Sequence, residues 1–210
     1  MSRVAIKVTG AQGQGVNSVG EIVGKGLKRA GYCVFGYREY NSLIKGGHSS
    51  YQVDVSNERV ESTKEKVEVL VCFNHHGLEL NTHEVEDGGI ILHQTPDWTF
   101  PKAIAASLKE RNVTVVELTT DAILKEINAK PILGNVLVTS VVWSLLKQDA
   151  KALKTLVGEQ FAKKKDLLEL NYLCIEKGFQ FKEKSIPGFA VALPPENAVW
   201  KDCLLLTGSQ

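Results

Sequence analysis

Val4-Ala5-Ile6-Lys7-Val8-Thr9-Gly10-Ala11-Gln12-Gly13-Gln14-Gly15-Val16 opens as an alternating strand and runs into a glycine-rich turn. Beyond the turn, Val16, Val19, Ile22, Val23, Leu27 and Ala30 fall on one helical stripe, which Gly31 stops. Strand, glycine turn and helix start make the first unit of an α/β fold. Gly20, Gly24 and Gly26 each cost this helix about 1 kcal/mol relative to alanine, so it is expected to lie close against another backbone.

Working outward, Cys33–Tyr37 reads as a second strand and Arg38–Gly47 as the loop after it. His48–Ser56 alternates as a strand with one wet face, and the Asn57-Glu58 turn fits a return hairpin. Val67–Phe73 has the continuous apolar character of a strand buried on both faces. A short helix over His75–Glu84, a strand over Gly89–His93, a helix over Lys102–Glu110 and a strand over Val113–Leu118 follow. Thr120 or Asp121 is placed to cap a helix through Asn128. Asn135–Leu146, Ala150–Lys163 and Asp166–Lys177 read as successive helices. The first of these is apolar nearly all round, as a core or subunit-interface helix would be, although its β-branched residues leave a strand reading open. Ser185–Pro195 is proline-bearing and extended. The expectation is a three-layer α/β/α Rossmann-like domain with a largely parallel, mixed sheet and a helical C-terminal part. One domain spans 1–184, helical from about 133, and 185–210 forms an extended arm.

The composition narrows the function classes. With 210 residues, 43% hydrophobic and 23% charged, the chain can bury roughly 70% of its extended surface and needs no staple. Twenty-five basic against 24 acidic side chains give no general field for nucleic acid or an anionic membrane, so an anion site must be local. Cys33, Cys72, Cys174 and Cys203 are scattered without a CxxC, so neither an iron–sulfur cluster nor structural zinc is expected on this chain. Reduced thiols, a strand pattern at the N-terminus and no long apolar run fit a soluble cytoplasmic protein. His75 and His76 are adjacent, and no HxH, HxxxH, HExxH or Gly-x-Ser-x-Gly occurs. No residue is assigned a catalytic or metal-binding role.

Two segments carry binding chemistry. The turn Gly10–Gly15 presents free backbone N–H groups and a positive helix end, which suits an anion. Gln12 stands where the dinucleotide fingerprint needs glycine, and Val16-Asn17 replaces the Lys-Ser/Thr pair of a P-loop. A tight connection that binds nothing is the competing reading. The second segment, Tyr37-Arg38-Glu39-Tyr40-Asn41-Ser42-Leu43-Ile44-Lys45-Gly46-Gly47-His48-Ser49-Ser50-Tyr51, gathers two cations, a carboxylate, an imidazole and hydroxyls around a Gly-Gly hinge. Lys45 with the N–H groups of Gly46 and Gly47 could form an anion nest. The bland alternative is a solvated loop with an Arg38–Glu39 surface pair worth under ~1 kcal/mol.

Together, Gly10–Gly15 with its helix, Tyr37-Arg38-Glu39-Tyr40 and Ile44-Lys45-Gly46-Gly47-His48-Ser49 resemble the gamma component of the 2-oxoacid:ferredoxin (acceptor) oxidoreductases. Gly134-Asn135-Val136, and Phe161–Lys165 into Leu168–Gly178, look like that family's later helices, so the likeness covers nearly the whole chain. The Tyr-Arg-Glu-Tyr version is most similar to the gamma domain fused to the front of the alpha subunit in 2-oxoglutarate-type enzymes. Leu204-Leu205-Leu206-Thr207-Gly208 resembles the start of the next domain in such fusions.

The resemblance implies an α/β component that helps receive coenzyme A and assemble the enzyme. Thiamine diphosphate, magnesium and iron–sulfur clusters are then expected on partner alpha/beta subunits, with ferredoxin as acceptor and an oligomeric assembly. Carried over residue by residue, Gly10, Gln12, Gly13, Gln14 and Gly15 shape the ligand-facing edge. Arg38, Lys45, Gly46 and Gly47 contact coenzyme A phosphates or lock the partner, and His48 and Ser49 supply hydrogen bonds nearby. Gln12 and Lys45 depart from the glycine and arginine usual at those positions. A stand-alone nucleotide-binding oxidoreductase and a non-catalytic assembly module are the rival readings.

Overall fold

The computed structural model describes residues 3–42, 47–161 and 165–206, without the side chains of 161–166. Six strands form one mixed sheet in the order β2-β3-β1-β4-β5-β6. They are β1 (Arg3–Ala11), β2 (Cys33–Tyr40), β3 (His48–Ser56), β4 (Val67–Cys72), β5 (Val85–His93) and β6 (Thr114–Glu117). β1, β4, β5 and β6 are parallel, whereas β3 runs antiparallel to both of its neighbours, β1 and β2. The helices are α1 (Val16–Ala30), α2 (His75–Asn81), α3 (Lys102–Glu110), α4 (Thr120–Glu126), α5 (Gly134–Leu145), α6 (Ala150–Phe161) and α7 (Lys165–Ser185). Among the described residues no helix is long and apolar enough to cross a membrane.

Strand alternation sorts the core into two layers. Ile6, Val8, Val53, Val55, Val69, Val71, Ile90 and Leu92 point to the face covered by α1 and α5, where they join Val23, Leu27, Leu137, Val141 and Trp143 in one cluster. Ala5, Leu70, Cys72 and Ile91 point the other way, against Leu78 of α2 and Leu108 of α3. The three-layer α/β arrangement is therefore present. α5 resolves as a helix because it lies between α1 and α7, which buries it nearly all round. Gly178 of α7 allows the close crossing: a Cβ there would fall on Ser140 Oγ and 2.9 Å from the Leu137 carbonyl.

Several local expectations change: α7 runs on to Ser185 and not to Lys177, and β5 begins at Val85 and not at Gly89. β2 continues to Tyr40, because Arg38, Glu39 and Tyr40 keep their ladder with Tyr51, Ser50 and Ser49, so the loop starts only at Asn41. No return hairpin follows Asn57-Glu58. The chain after them is tied to the second face of the sheet at Lys64 instead, with Lys64 N donating to Asp54 Oδ1 (2.8 Å) and Gln52 Nε2 donating to the Lys64 carbonyl (2.8 Å). The glycines of α1 approach side chains, not backbone: a Cβ on Gly20 would strike Tyr51 and one on Gly26 would strike Trp143, while one on Gly24 would meet only Val34 and Val53 at ordinary contact distance. Neither Thr120 nor Asp121 caps α4; Thr119 holds the cap position without a side-chain bond.

After α7 the chain is extended, apart from a short 3-10 turn over Ala198–Lys201. Val191 N donates to the Leu145 carbonyl (2.8 Å), and Asn197 N donates to the Gly31 carbonyl (2.9 Å). Asn197 Nδ2 and Trp200 Nε1 both donate to the Asn57 carbonyl (3.2 and 2.8 Å). These bonds strap the segment along the body of the domain.

Candidate anion pocket at the start of helix α1

Because β3 is antiparallel to β1, its first residues lie beside the last residues of β1: His48 pairs with Ala11 and Ser49 with Gly10. The glycine loop, the end of β2 and the start of β3 therefore meet at one rim of the sheet. A hollow of about 290 Å³ lies there, lined by Gln12, Gly13, Gly15, Val16, Asn17, Ser18, Tyr40 and Ser49. Gly13 and Gly15 have φ of 90° and 96°, a left-handed backbone that costs other residues about 1–2 kcal/mol. Gly15 holds the N-cap position, so α1 begins without a side-chain cap and without an acidic residue in its first turn. Its last turn carries Lys28 and Arg29. A helix with uncapped N–H groups and no local carboxylate attracts an anion at this end. Asn17 Nδ2 lies 3.5 Å from the Tyr40 hydroxyl, whereas Asn17 Oδ1, which can only accept, is buried without a partner and offers nothing to an anion.

The expected site residues do not all gather here. Gln12, Gly13, Gly15 and Ser49 do. Gln14 turns away: its Oε1 accepts from Ala11 N (2.7 Å) and from Asn74 Nδ2 (3.0 Å). Gly10 lies beneath that side chain and against Phe73. These contacts close the gap between the loops after β1 and β4, where α1 and α2 leave for opposite faces. That gap is where an open α/β sheet takes a dinucleotide. Gly47 (φ 62°) accepts at its carbonyl from Gln12 N (3.0 Å). His48 points to the second face and is 8% exposed. Burial, then His76 and Lys7, lower its pKa, which favours the neutral imidazole. Lys45 and Gly46 lie outside the described residues.

Arg38 is on the α1 side but in the next groove along. Its guanidinium lies 4.6 Å over the Tyr51 ring and 2.6 Å from Glu21 Oε1. Burial works against its charge, but bonds with Tyr51, Tyr40 and Glu21 outweigh that and raise its pKa further. This groove holds about 440 Å³ and includes Gly24, Gly36, Leu205 and Leu206. Asn17, Ser18 and Tyr40 were not among the expected site residues. Asn17 and Ser18 could have been found by counting the first helical turn after Gly15; Tyr40 required knowing that β2 extends that far.

The two buried thiols offer no reactive centre: burial pushes Cys72 up to about 12 and Cys174 up to about 11. Among the described residues no three His, Cys, Asp or Glu side chains converge to hold a metal ion.

Several known proteins are similar to this chain in sequence or in fold. A 2-oxoacid:ferredoxin oxidoreductase subunit alpha from a Sulfolobus species is 38% identical over 85 residues, which are 40% of this chain and 13% of that one. The ketoisovalerate oxidoreductase subunit VorA of Methanothermobacter marburgensis is 28% identical over 188 residues, 88% of this chain and 38% of its own length. The chain thus spans well under half of these relatives. In fold it is similar to the Magnetococcus marinus 2-oxoglutarate:ferredoxin oxidoreductase solved with 2-oxoglutarate, coenzyme A and succinyl-CoA. That match has a TM-score of 0.75 and 24% identity, and covers 93% of this chain and 34% of the other. The keto/oxoacid ferredoxin oxidoreductase gamma subunit of Geobacter sulfurreducens matches with a TM-score of 0.65 and 17% identity, over 84% of this chain and 96% of its own. The pyruvate ferredoxin/flavodoxin oxidoreductase family matches residues 5–181, and the chain belongs to that family.

Proposed function

We propose that this chain is the gamma-type part of a coenzyme A-acylating 2-oxoacid:ferredoxin oxidoreductase, receiving the phosphates of coenzyme A and helping the assembly together. The uncapped start of α1, open to the hollow between Gly13, Asn17, Ser18, Tyr40 and Ser49, is the observation that carries this reading. Backbone N–H groups, the Asn17 carboxamide and the Ser18 and Tyr40 hydroxyls form a donor set that fits a phosphate oxygen without needing a free cation, while the Ser49 hydroxyl already donates to the Gly10 carbonyl (3.3 Å). The Magnetococcus enzyme of similar fold binds coenzyme A, which supports the choice of ligand.

In the reaction, a 2-oxoacid is oxidatively decarboxylated and its acyl group passes to coenzyme A. This chain holds and orients the nucleotide end, while thiamine diphosphate, magnesium and iron–sulfur clusters belong to partner subunits and ferredoxin takes the electrons. Arg38, already paired with Glu21, orders the groove beside the pocket. The exposed side of α3, which buries only Leu108, is available to a partner subunit.

The test is Ser18→Asp in the assembled enzyme. A carboxylate at this exposed first-turn position favours the helix but opposes a bound phosphate. At about 5 Å and an effective dielectric near 20 the repulsion is about 3 kcal/mol, so the apparent KM for coenzyme A should rise at least about tenfold. The KM for the 2-oxoacid should not change. An unaltered coenzyme A dependence would remove the pocket from the mechanism.

A further inference from the structure

Gln12 differs from the other loop residues in holding both ends of the β2–β3 connection. Its backbone N donates to the Gly47 carbonyl (3.0 Å), and its side-chain Nε2 donates to the Asn41 carbonyl (3.1 Å). Asn41 N in turn donates to the His48 carbonyl (2.8 Å), and Gly47 N donates to the Ser42 carbonyl (3.1 Å). The connection therefore leaves and rejoins the sheet between two points that one residue fixes. The first of them, Asn41, directly follows Tyr40, the far wall of the anion pocket. Gln14 ties the same loop in the opposite direction, to Asn74, and does not reach the pocket.

We propose that Gln12 is a positioning residue for this pocket, setting its width by anchoring Asn41 and hence Tyr40 against the start of α1. The proposal rests on the reading of the pocket as the coenzyme A phosphate site. Glycine at position 12 would keep the backbone bond to Gly47 and lose only the bond to Asn41. Such a variant therefore isolates the side chain's contribution while the loop's own closure survives. Gln12 touches no reacting atom, so its effect falls on binding and not on turnover.

The experiment compares Gln12→Gly and Gln12→Ala with the wild type in the assembled enzyme. One lost hydrogen bond predicts an apparent KM for coenzyme A raised about three- to tenfold, with kcat and the 2-oxoacid KM unchanged. Inorganic pyrophosphate, used as a competitive probe, should weaken in parallel, and amide exchange over Tyr40–Ser42 should quicken while the melting temperature holds. A coenzyme A KM within twofold of wild type overturns the proposal. So does a KM rise accompanied by an equal loss of kcat or by a fall in melting temperature, because either would mark a merely structural role. If Ser18→Asp raises the KM and the Gln12 variants do not, only this proposal fails. If Ser18→Asp is also silent, the coenzyme A reading fails with it.

Discussion

Replacing Gly15 and Gly13 with alanine separates two costs that the structure puts side by side in the glycine loop. Both residues have nearly the same backbone, φ 96° and 90°. A Cβ on Gly13 would meet nothing within 4 Å, whereas one on Gly15 would fall on the Asn135 carboxamide of α5. Gly13→Ala should therefore cost only the left-handed backbone penalty, about 1–2 kcal/mol. Gly15→Ala should cost that amount plus about 1–3 kcal/mol for forcing Asn135 aside, or about 2–5 kcal/mol in all. Urea denaturation followed by circular dichroism, with unchanged m-values, measures both. Repeating Gly15→Ala in an Asn135→Ala background removes the obstacle, so its cost should fall to about the Gly13→Ala value of 1–2 kcal/mol. The reasoning is refuted if the two glycine variants are equally destabilising, or if Asn135→Ala leaves the gap between them intact.

Two further outcomes follow from packing and charge. Gly178→Ala should destabilise by about 2–3 kcal/mol, since the α5–α7 crossing must widen. Gly24→Ala, whose Cβ would find its nearest atom at 3.6 Å, should instead stabilise by up to about 1 kcal/mol; both are read from urea midpoints. Burial lowers the pKa of both His48, which faces His76, Lys7 and Glu39, and His93, so the folded chain holds them neutral. As pH falls below about 6.5 the unfolded chain takes up protons that the folded one refuses, so stability drops on the acid side. His48→Gln should flatten that drop between pH 7.5 and 5.5, and an unchanged slope would count against a buried neutral imidazole.

Much of the fold was legible because its signals are local. Gly31 ends α1 in a left-handed cap, and the apolar run at Val67, broken only by Glu68, lies between two parallel neighbours, as its composition required. What escaped the sequence depends on partners far along the chain. The extra length of β2 comes from Ser49–Tyr51, and the missing hairpin after Asn57 from Gln52 and Asp54, which hold the segment near Lys64. The separation of Arg38 from the pocket comes from Glu21 and Tyr51, one on α1 and one on β3. Gln14 read as a ligand-facing residue because nothing near it in sequence shows that Asn74 occupies its carbonyl. Motif spacing located the loop; cross-strand and helix–loop contacts decided which side chains face into the pocket.

The antiparallel insertion of β3 explains why the pocket lies on this side of the loop. Had the strand beside β1 been parallel to it, its own carboxyl end and a following helix would have stood at this rim. Reversed, β3 brings its first residues there instead, and Asn41 and Gly47, at the described ends of the connection from β2, bond to Gln12 of the glycine loop. The same reversal removes the need for a crossover helix over the second face of β2 and β3. Ser50, Gln52 and Asp54 are accordingly polar there and are satisfied by Glu39, Lys64 and Arg3. With the gap between β1 and β4 closed by Gln14, Asn74 and Phe73, the start of α1 opens, among the described residues, toward Tyr40 and Ser49. One change of strand direction thus links the polar second face, the crowded rim and the position of the candidate pocket.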